Sequence, residues 1–380
     1  MAIRFIQFSY ENYFLFIIVG MILCFGLSHN LSYAQLNANT SENMTEIQEE
    51  ISLPTLIDAN LQLELVASGL DFPTSIGFLS DNDMLVLEKN TGNIIRVKED
   101  GRISEPIFHV DVSHRDERGL LGLALGKMSD FKPVKKKNQD DYFVFLYLTK
   151  CPKGESKPLT DEDDKDLVHL SQISYDRKST KDFDLSECEN QVYRYNYDPD
   201  SDEFSKSKLL LRLPALPGPS HNGGVIKIGP DQNLYITVGD LIPSYYHDYD
   251  GFFTTKAQNN NEGRDADGRA GILRINYNGD PVLDANNKGL LGDDYPLNLY
   301  YAYGIRNSFG IDFDPLTGNL WESENGPLFG DEINLIYPGF NGGTSKIQGF
   351  WISDEFKNKI HFIDDYSDID NIDLVNFNGK

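Results

Sequence analysis

Short apolar runs rich in β-branched and aromatic residues recur along this chain, each closed by a cluster of Gly, Asp and Asn. Residues 61–67, 74–78, 84–88 and 94–97 form the first group, separated by Gly69-Leu70-Asp71, Ser80-Asp81-Asn82-Asp83 and Asn90-Thr91-Gly92-Asn93. Runs this short suit strands rather than helices, and separators of this composition make tight turns. Four strands in about 40 residues is the size of one antiparallel propeller blade. The grouping returns at residues 119–125, 142–148, 192–197 and 209–213, then at 225–228, 234–238 and 272–275, then at 308–313, 319–322 and 333–336. Longer polar stretches interrupt it near 150–190 and 242–271. Loops of that length in a compact β protein are more often functional or flexible than featureless, and these are expected to wall an active face. After Gly343 the strand signals thin, and the stretch from Asp364 onward is acidic. A ring of blades needs its last to meet its first, so either the blade count is low or part of the ring is missing at the C-terminal end.

Composition agrees with an all-β chain, with 32 Gly, 20 Tyr and 23 Phe among 380 residues. It also narrows the partners. With 34 basic against 59 acidic residues the net charge is −25, the wrong sign for a nucleic-acid or anionic-membrane surface. The N-terminus carries Arg4, an apolar run at residues 13–27 and the stretch Ser32-Tyr33-Ala34, the pattern of a secretory signal cleaved after Ala34. An uncleaved membrane anchor is the competing reading, weakened because the run is shorter than the ~20 residues a spanning helix needs. Residues 1–34 are therefore assigned to the signal, 35–60 to a polar flexible leader with sequons at Asn39 and Asn43, and 61–380 to the β domain. Beyond the signal the cysteines are Cys151 and Cys188, either paired in an oxidising compartment or left as free thiols.

The stretch from Ser220 to Asp240 carries the chemistry. His221-Asn222-Gly223-Gly224 precedes one strand candidate, Gly229-Pro230-Asp231 makes the turn, and Asp240 follows the second strand. A hairpin of that length returns its ends to one another, so Asp240 can hydrogen-bond one imidazole nitrogen of His221 and leave the other facing a cleft. That is an oriented general base. A lone histidine beside a turn is more often a packing or surface residue; the carboxylate at the other end of the hairpin reverses that reading here.

Three further segments accompany it: Glu117-Arg118-Gly119-Leu120-Leu121-Gly122-Leu123-Ala124-Leu125, Tyr303-Gly304-Ile305-Arg306-Asn307, and Glu324-Asn325-Gly326-Pro327 through Gly330-Asp331-Glu332-Ile333-Asn334. In this order, with Gly69-Leu70-Asp71-Phe72-Pro73-Thr74 and Asp314-Pro315-Leu316-Thr317-Gly318-Asn319-Leu320-Trp321, they resemble the soluble quinoprotein glucose/sorbosone (aldose sugar) dehydrogenases. The resemblance implies a six-bladed β-propeller of four-stranded antiparallel blades that holds pyrroloquinoline quinone beside Ca2+. It makes His221 the base that takes a sugar's anomeric hydroxyl proton while hydride passes to the quinone, with Asp240 as its partner. Arg306 and Asn307 would contact the cofactor and the oxygen that gains charge, a task suited to a fixed guanidinium and amide. Glu117 falls at a further cofactor contact. Gly326 and Pro327 would lend backbone carbonyls to Ca2+, and Asp331 and Glu332 correspond to positions that bind a second, structural calcium. The implied protein is an exported oxidoreductase acting on an aldose or related alcohol and passing electrons to an external acceptor.

Two positions depart from the family pattern. Glu117 stands where glutamine is usual, and Phe309, two residues after Asn307, stands where glutamine is common. A carboxylate meets an anionic quinone unfavourably unless it is protonated or shared with calcium, and a phenyl ring has no conventional hydrogen-bonding group. The basic residues that clamp the quinone's carboxylates in the family come from a C-terminal region without a counterpart before Lys380. Two other functions suit a propeller. A calcium-dependent lactonase would leave the His221–Asp240 pair without a task, and a non-catalytic propeller would bind a sugar or a protein partner.

Overall fold

The computed structural model describes residues 2–7, 56–58, 60–98, 100–136, 140–151, 188–215, 218–242, 254–326, 330–344, 346–347 and 374–377. Two units are distinguished, Met1–Gly69 and Leu70–Lys380. In the first, β1 (Ala2–Gln7) pairs antiparallel with β2 (Leu61–Ala67). Residues 61–67 are therefore a strand as expected, but not part of the first blade. The apolar run at 13–27, both sequons and most of the leader lie outside the described residues.

The second unit is a succession of sheets, each a meander in chain order. The first sheet comprises β3 (Pro73–Ser80), β4 (Asp83–Glu88), β5 (Asn93–Val97) and β6 (Phe108–His109). The second comprises β7 (Leu120–Lys127), β8 (Tyr142–Lys150), β9 (Glu189–Asp198) and β10 (Glu203–Pro214). β11 (Ile226–Ile228), β12 (Leu234–Val238), β13 (Gly271–Ile275) and β14 (Tyr300–Tyr303) build the third. β15 (Ser308–Phe313), β16 (Leu320–Glu324) and β17 (Glu332–Ile336) form the fourth, after which β18 (Phe340–Asn341) returns to lie parallel beside β14.

This is the expected all-β, propeller-like arrangement, with two corrections. The described residues form four blade-like sheets rather than six. The blades are also not uniformly four-stranded and antiparallel: the third gains β18, and the fourth has three strands among the described residues. β18 is drawn to β14 because the turn after β17 bonds along that edge, Gly339 N–H to Tyr301 O at 2.8 Å and Gly342 N–H to Tyr303 O at 2.9 Å.

Strand β8 explains the layering. Every residue from Tyr142 to Thr149 is buried, because the second sheet packs on both faces. Side chains alternate across a strand. Val144, Leu146 and Leu148 accordingly join Leu85, Leu87 and Ile94 of the first sheet, whereas Phe143, Phe145 and Tyr147 join Ile226, Leu234 and Ile236 of the third. Each large apolar side chain buried in this way contributes about 1.5–3 kcal/mol. The third sheet in turn covers Ile311, Leu320 and Ile336 of the fourth. Beyond the last rung of β8 and β9, Cys151 and Cys188 are joined in a disulfide. No helix among the described residues is long and apolar enough to cross a membrane.

Candidate active site

The residues that precede β7 and β11, follow β12 and link β14 to β15 meet around His221. The local sequence is dictated by how closely backbones pass there. His221 itself is left-handed at φ +58°, as is Gly223 at φ +62°. A Cβ on Gly239 would stand 2.1 Å from His221 O, and one on Gly223 would stand 2.8 Å from Thr237 O. Only glycine allows these approaches. A non-glycine residue in the left-handed region costs about 1–2 kcal/mol and persists only where its surroundings hold it.

Those surroundings are hydrogen bonds. His221 Nδ1 lies 2.6 Å from Asp240 Oδ1, and the two side chains are only 6% and 10% exposed. The same oxygen accepts Ile242 N–H at 2.9 Å. A carboxylate oxygen accepts, so the bond puts the hydrogen on Nδ1 and leaves Nε2 as the basic nitrogen. Consecutive residues of the loop before β7 grip the loop before β11. Asp116 Oδ2 accepts from Ser220 Oγ at 2.9 Å, and Glu117 Oε2 accepts the backbone N–H of His221 at 2.6 Å. Arg118 Nη2 donates to Ala215 O at 2.8 Å and Gly218 O at 2.7 Å. Asn222, wholly buried, accepts from Asn190 Nδ2 at 3.2 Å, donates to Pro219 O and takes Tyr147 Oη on its carbonyl at 3.0 Å.

Arg306 and Asn307 complete the group. Asp240 N–H donates to Arg306 O at 2.7 Å. Asn307 Oδ1 accepts Gly223 N–H at 3.2 Å, and its Nδ2 donates to Glu117 Oε2 at 3.3 Å. Arg306 Nη1 donates to Asn325 O at 2.9 Å. The hydrogen-bond network orients the Asn325 carboxamide with its oxygen on Arg306 Nη1 (3.0 Å) and its nitrogen on Asn307 O (2.9 Å). Glu117, His221, Asp240, Arg306 and Asn307 thus lie within one hydrogen-bonded group.

The residues expected to hold calcium divide. Asp331 Oδ1 accepts Gly326 N–H at 2.9 Å and so belongs to the Gly326 turn. Glu332 starts β17, opposite Glu324 in register, and its Oε2 accepts from Asn334 Nδ2 at 3.0 Å. Pro327 lies outside the described residues. Phe309 is half exposed.

Sequence reasoning passed over Glu322 and Glu324. They share the buried face of β16 with Leu320, a period-two pattern that could have flagged them. Glu324 Oε1 accepts Arg306 N–H at 2.6 Å and Glu322 Oε2 accepts from Asn334 Nδ2 at 3.1 Å, whereas among the described residues the other oxygen of each is buried without a well-formed hydrogen bond. Burial pushes the Glu322 carboxyl up to about 7, reinforced by the charge of Glu332. Burial, then the charge of Glu322, holds Glu324 well above the usual carboxylate range. The outer oxygens of Glu322 and Glu324, four and two residues before Gly326, are the donor chemistry a hard cation takes. Among the described residues no three His, Cys, Asp or Glu side chains converge as a ready metal cluster.

Successive antiparallel meanders with a buried His221–Asp240 pair at the loop end define a propeller-like β protein. The chain belongs to the glucose/sorbosone dehydrogenase family, whose sequence profile matches residues 70–350. It is 28% identical over 305 residues to quinoprotein glucose dehydrogenase B of Acinetobacter calcoaceticus, a match covering 77% of this chain and 54% of that protein. The chain therefore spans about half the length of that relative. Among solved structures it is similar to a glucose dehydrogenase-type oxidoreductase from Thermus thermophilus, at 29% identity and a TM-score of 0.53, covering 76% of this chain and 68% of the other. The apo-form of the soluble aldose sugar dehydrogenase from Escherichia coli shares the fold at a TM-score of 0.53 and 19% identity, covering 75% of this chain and 66% of that one.

Proposed function

We propose that this protein oxidises an aldose or a related alcohol to its lactone or carbonyl product, with His221 as general base. The buried 2.6 Å contact between His221 Nδ1 and Asp240 carries the reading, because it leaves Nε2 to take the hydroxyl proton. Asp240 then faces an imidazolium, a charge it stabilises. Arg306 has five N–H groups, and beyond its bonds to Asn325 the remainder suit a carboxylate or quinone oxygen. Asn307 would act beside it at the oxygen that gains charge. Pyrroloquinoline quinone, when bound, would supply the two-electron acceptor. Calcium would be held by the Gly326 and Pro327 carbonyls, with the buried Glu324 carboxylate as a nearby counter-charge, and a second ion by Asp331 and Glu332.

The working unit is taken to be a six-bladed ring, to which the described sheets contribute four. Export through the segment at 1–34, with release or N-terminal anchoring, is supported by the Cys151–Cys188 disulfide, since such bonds persist in oxidising compartments. Electrons would leave to an external acceptor. The test is the absorbance of purified protein reconstituted with pyrroloquinoline quinone and Ca2+, followed as aldoses are added. Reduction of the quinone is the expected result. No spectral change with any aldose would overturn the proposal, and lactone hydrolysis without quinone would favour a lactonase instead.

A further inference from the structure

Lys89, just past the end of β4, has no part in the reading above, yet its ammonium is the hub of the loop that carries Glu117. Lys89 Nζ donates to the carbonyls of His114 (3.3 Å), Asp116 (2.7 Å) and Arg118 (2.9 Å). An ammonium has three N–H donors, so this loop takes all of them. With alternate carbonyls gathered on one cation, the loop has a fixed shape, and its Asp116, Glu117 and Arg118 side chains all reach the segment 215–221. Glu117 does most. One oxygen, Oε2, accepts from the His221 backbone and from Asn307 Nδ2, joining residues that lie 104 and 190 positions away in sequence.

We propose that Lys89 and Glu117 are positioning residues: Lys89 sets the 114–118 loop, and Glu117 fixes the strained His221 backbone and the Asn307 carboxamide relative to each other. This rests on reading His221 as the base, and it gives Glu117 a different task from the cofactor contact that the family resemblance implies. A glutamine oxygen accepts the same two bonds, so the departure from the family pattern at this position leaves the tie intact. A carboxylate on the quinone is not required for Glu117 to be retained.

The experiment combines amide hydrogen exchange on the cofactor-free protein with steady-state kinetics on the loaded enzyme, for Glu117→Ala, Glu117→Gln and Lys89→Met. In Glu117→Ala and Lys89→Met, exchange at residues 220–224 should accelerate at least about tenfold while β8 stays protected. Turnover should fall about 10- to 100-fold with quinone affinity within about threefold of the parent, because a small displacement of a base costs rate rather than binding. Glu117→Gln should recover most of that loss. Unchanged exchange at 220–224 in Glu117→Ala would overturn the proposal, as would a loss of rate that saturating quinone fully restores. The exchange arm needs no turnover, so it stands or falls independently of whether His221 is the base.

Discussion

The second and fourth sheets are built from the same kind of meander and put it to different uses. In the second, β8 is sealed on both faces, and its buried side chains from Tyr142 to Leu148 are all apolar or aromatic. In the fourth, the covered face of β16 includes Glu322 and Glu324, each with an oxygen that makes no well-formed hydrogen bond among the described residues, while Trp321, Ile333 and Leu335 stand on the exposed side. A sheet that is apolar inside and polar outside is stabilised by its burial. The fourth sheet inverts this locally, and it does so next to Arg306 and Gly326. Buried carboxylates without full hydrogen bonding are costly, and they persist where a site needs them. The contrast separates an apolar scaffold from a sheet that buries carboxyl groups.

The largest effect expected from this contrast is in the scaffold. Phe145→Ala should lower unfolding free energy by about 3–5 kcal/mol, measured by denaturant titration, since Phe145 is wholly buried between the second and third sheets. A loss below about 1 kcal/mol would mean that the two sheets are not packed as described.

The fourth sheet should show a pH dependence opposite to that of a salt-bridged carboxylate. With Glu322 raised from 4.5 to about 7 in the folded state, the native protein binds more protons than the unfolded chain across that window. Stability should therefore fall as pH rises from about 4.5 to about 7, and Glu322→Gln should flatten the slope. Thermal melts of both proteins across this range decide it; equal slopes would remove Glu322 as the cause. If the outer oxygens of Glu322 and Glu324 help hold Ca2+, the ion should raise the melting temperature more at pH 7 than at pH 5, because protons compete for the same oxygens. The smallest effect belongs to the exposed face. Trp321→Ala should change stability by no more than about 0.5 kcal/mol, and a larger loss would show that this face is covered in solution.

Much of this was legible in the sequence, for reasons that are local. Turn residues and short apolar runs mark β3 to β5, β7 to β9, β11 to β13 and β15 to β17 to within a few residues, whereas only the apolar second half of β10 is marked, because its first half is polar and exposed. The His221–Asp240 contact follows from hairpin length alone. What depends on distant pairing was not legible. Phe108–His109 and Phe340–Asn341 are too short to leave a pattern and exist only because Asn93 and Ala302 sit opposite. Leu61–Ala67 reads as a strand, but nothing within it says that it pairs with Ala2–Gln7 rather than with the first blade. Lys89 was passed over because a lysine at a strand end usually faces water, and only the fold supplies the three carbonyls.

That a histidine held by Asp240 and Glu117 acts as the base is tested most directly by turnover of His221→Ala with saturating quinone, Ca2+ and aldose. A loss of about 10²- to 10⁴-fold with the fold intact is expected. A variant that keeps full turnover would contradict it.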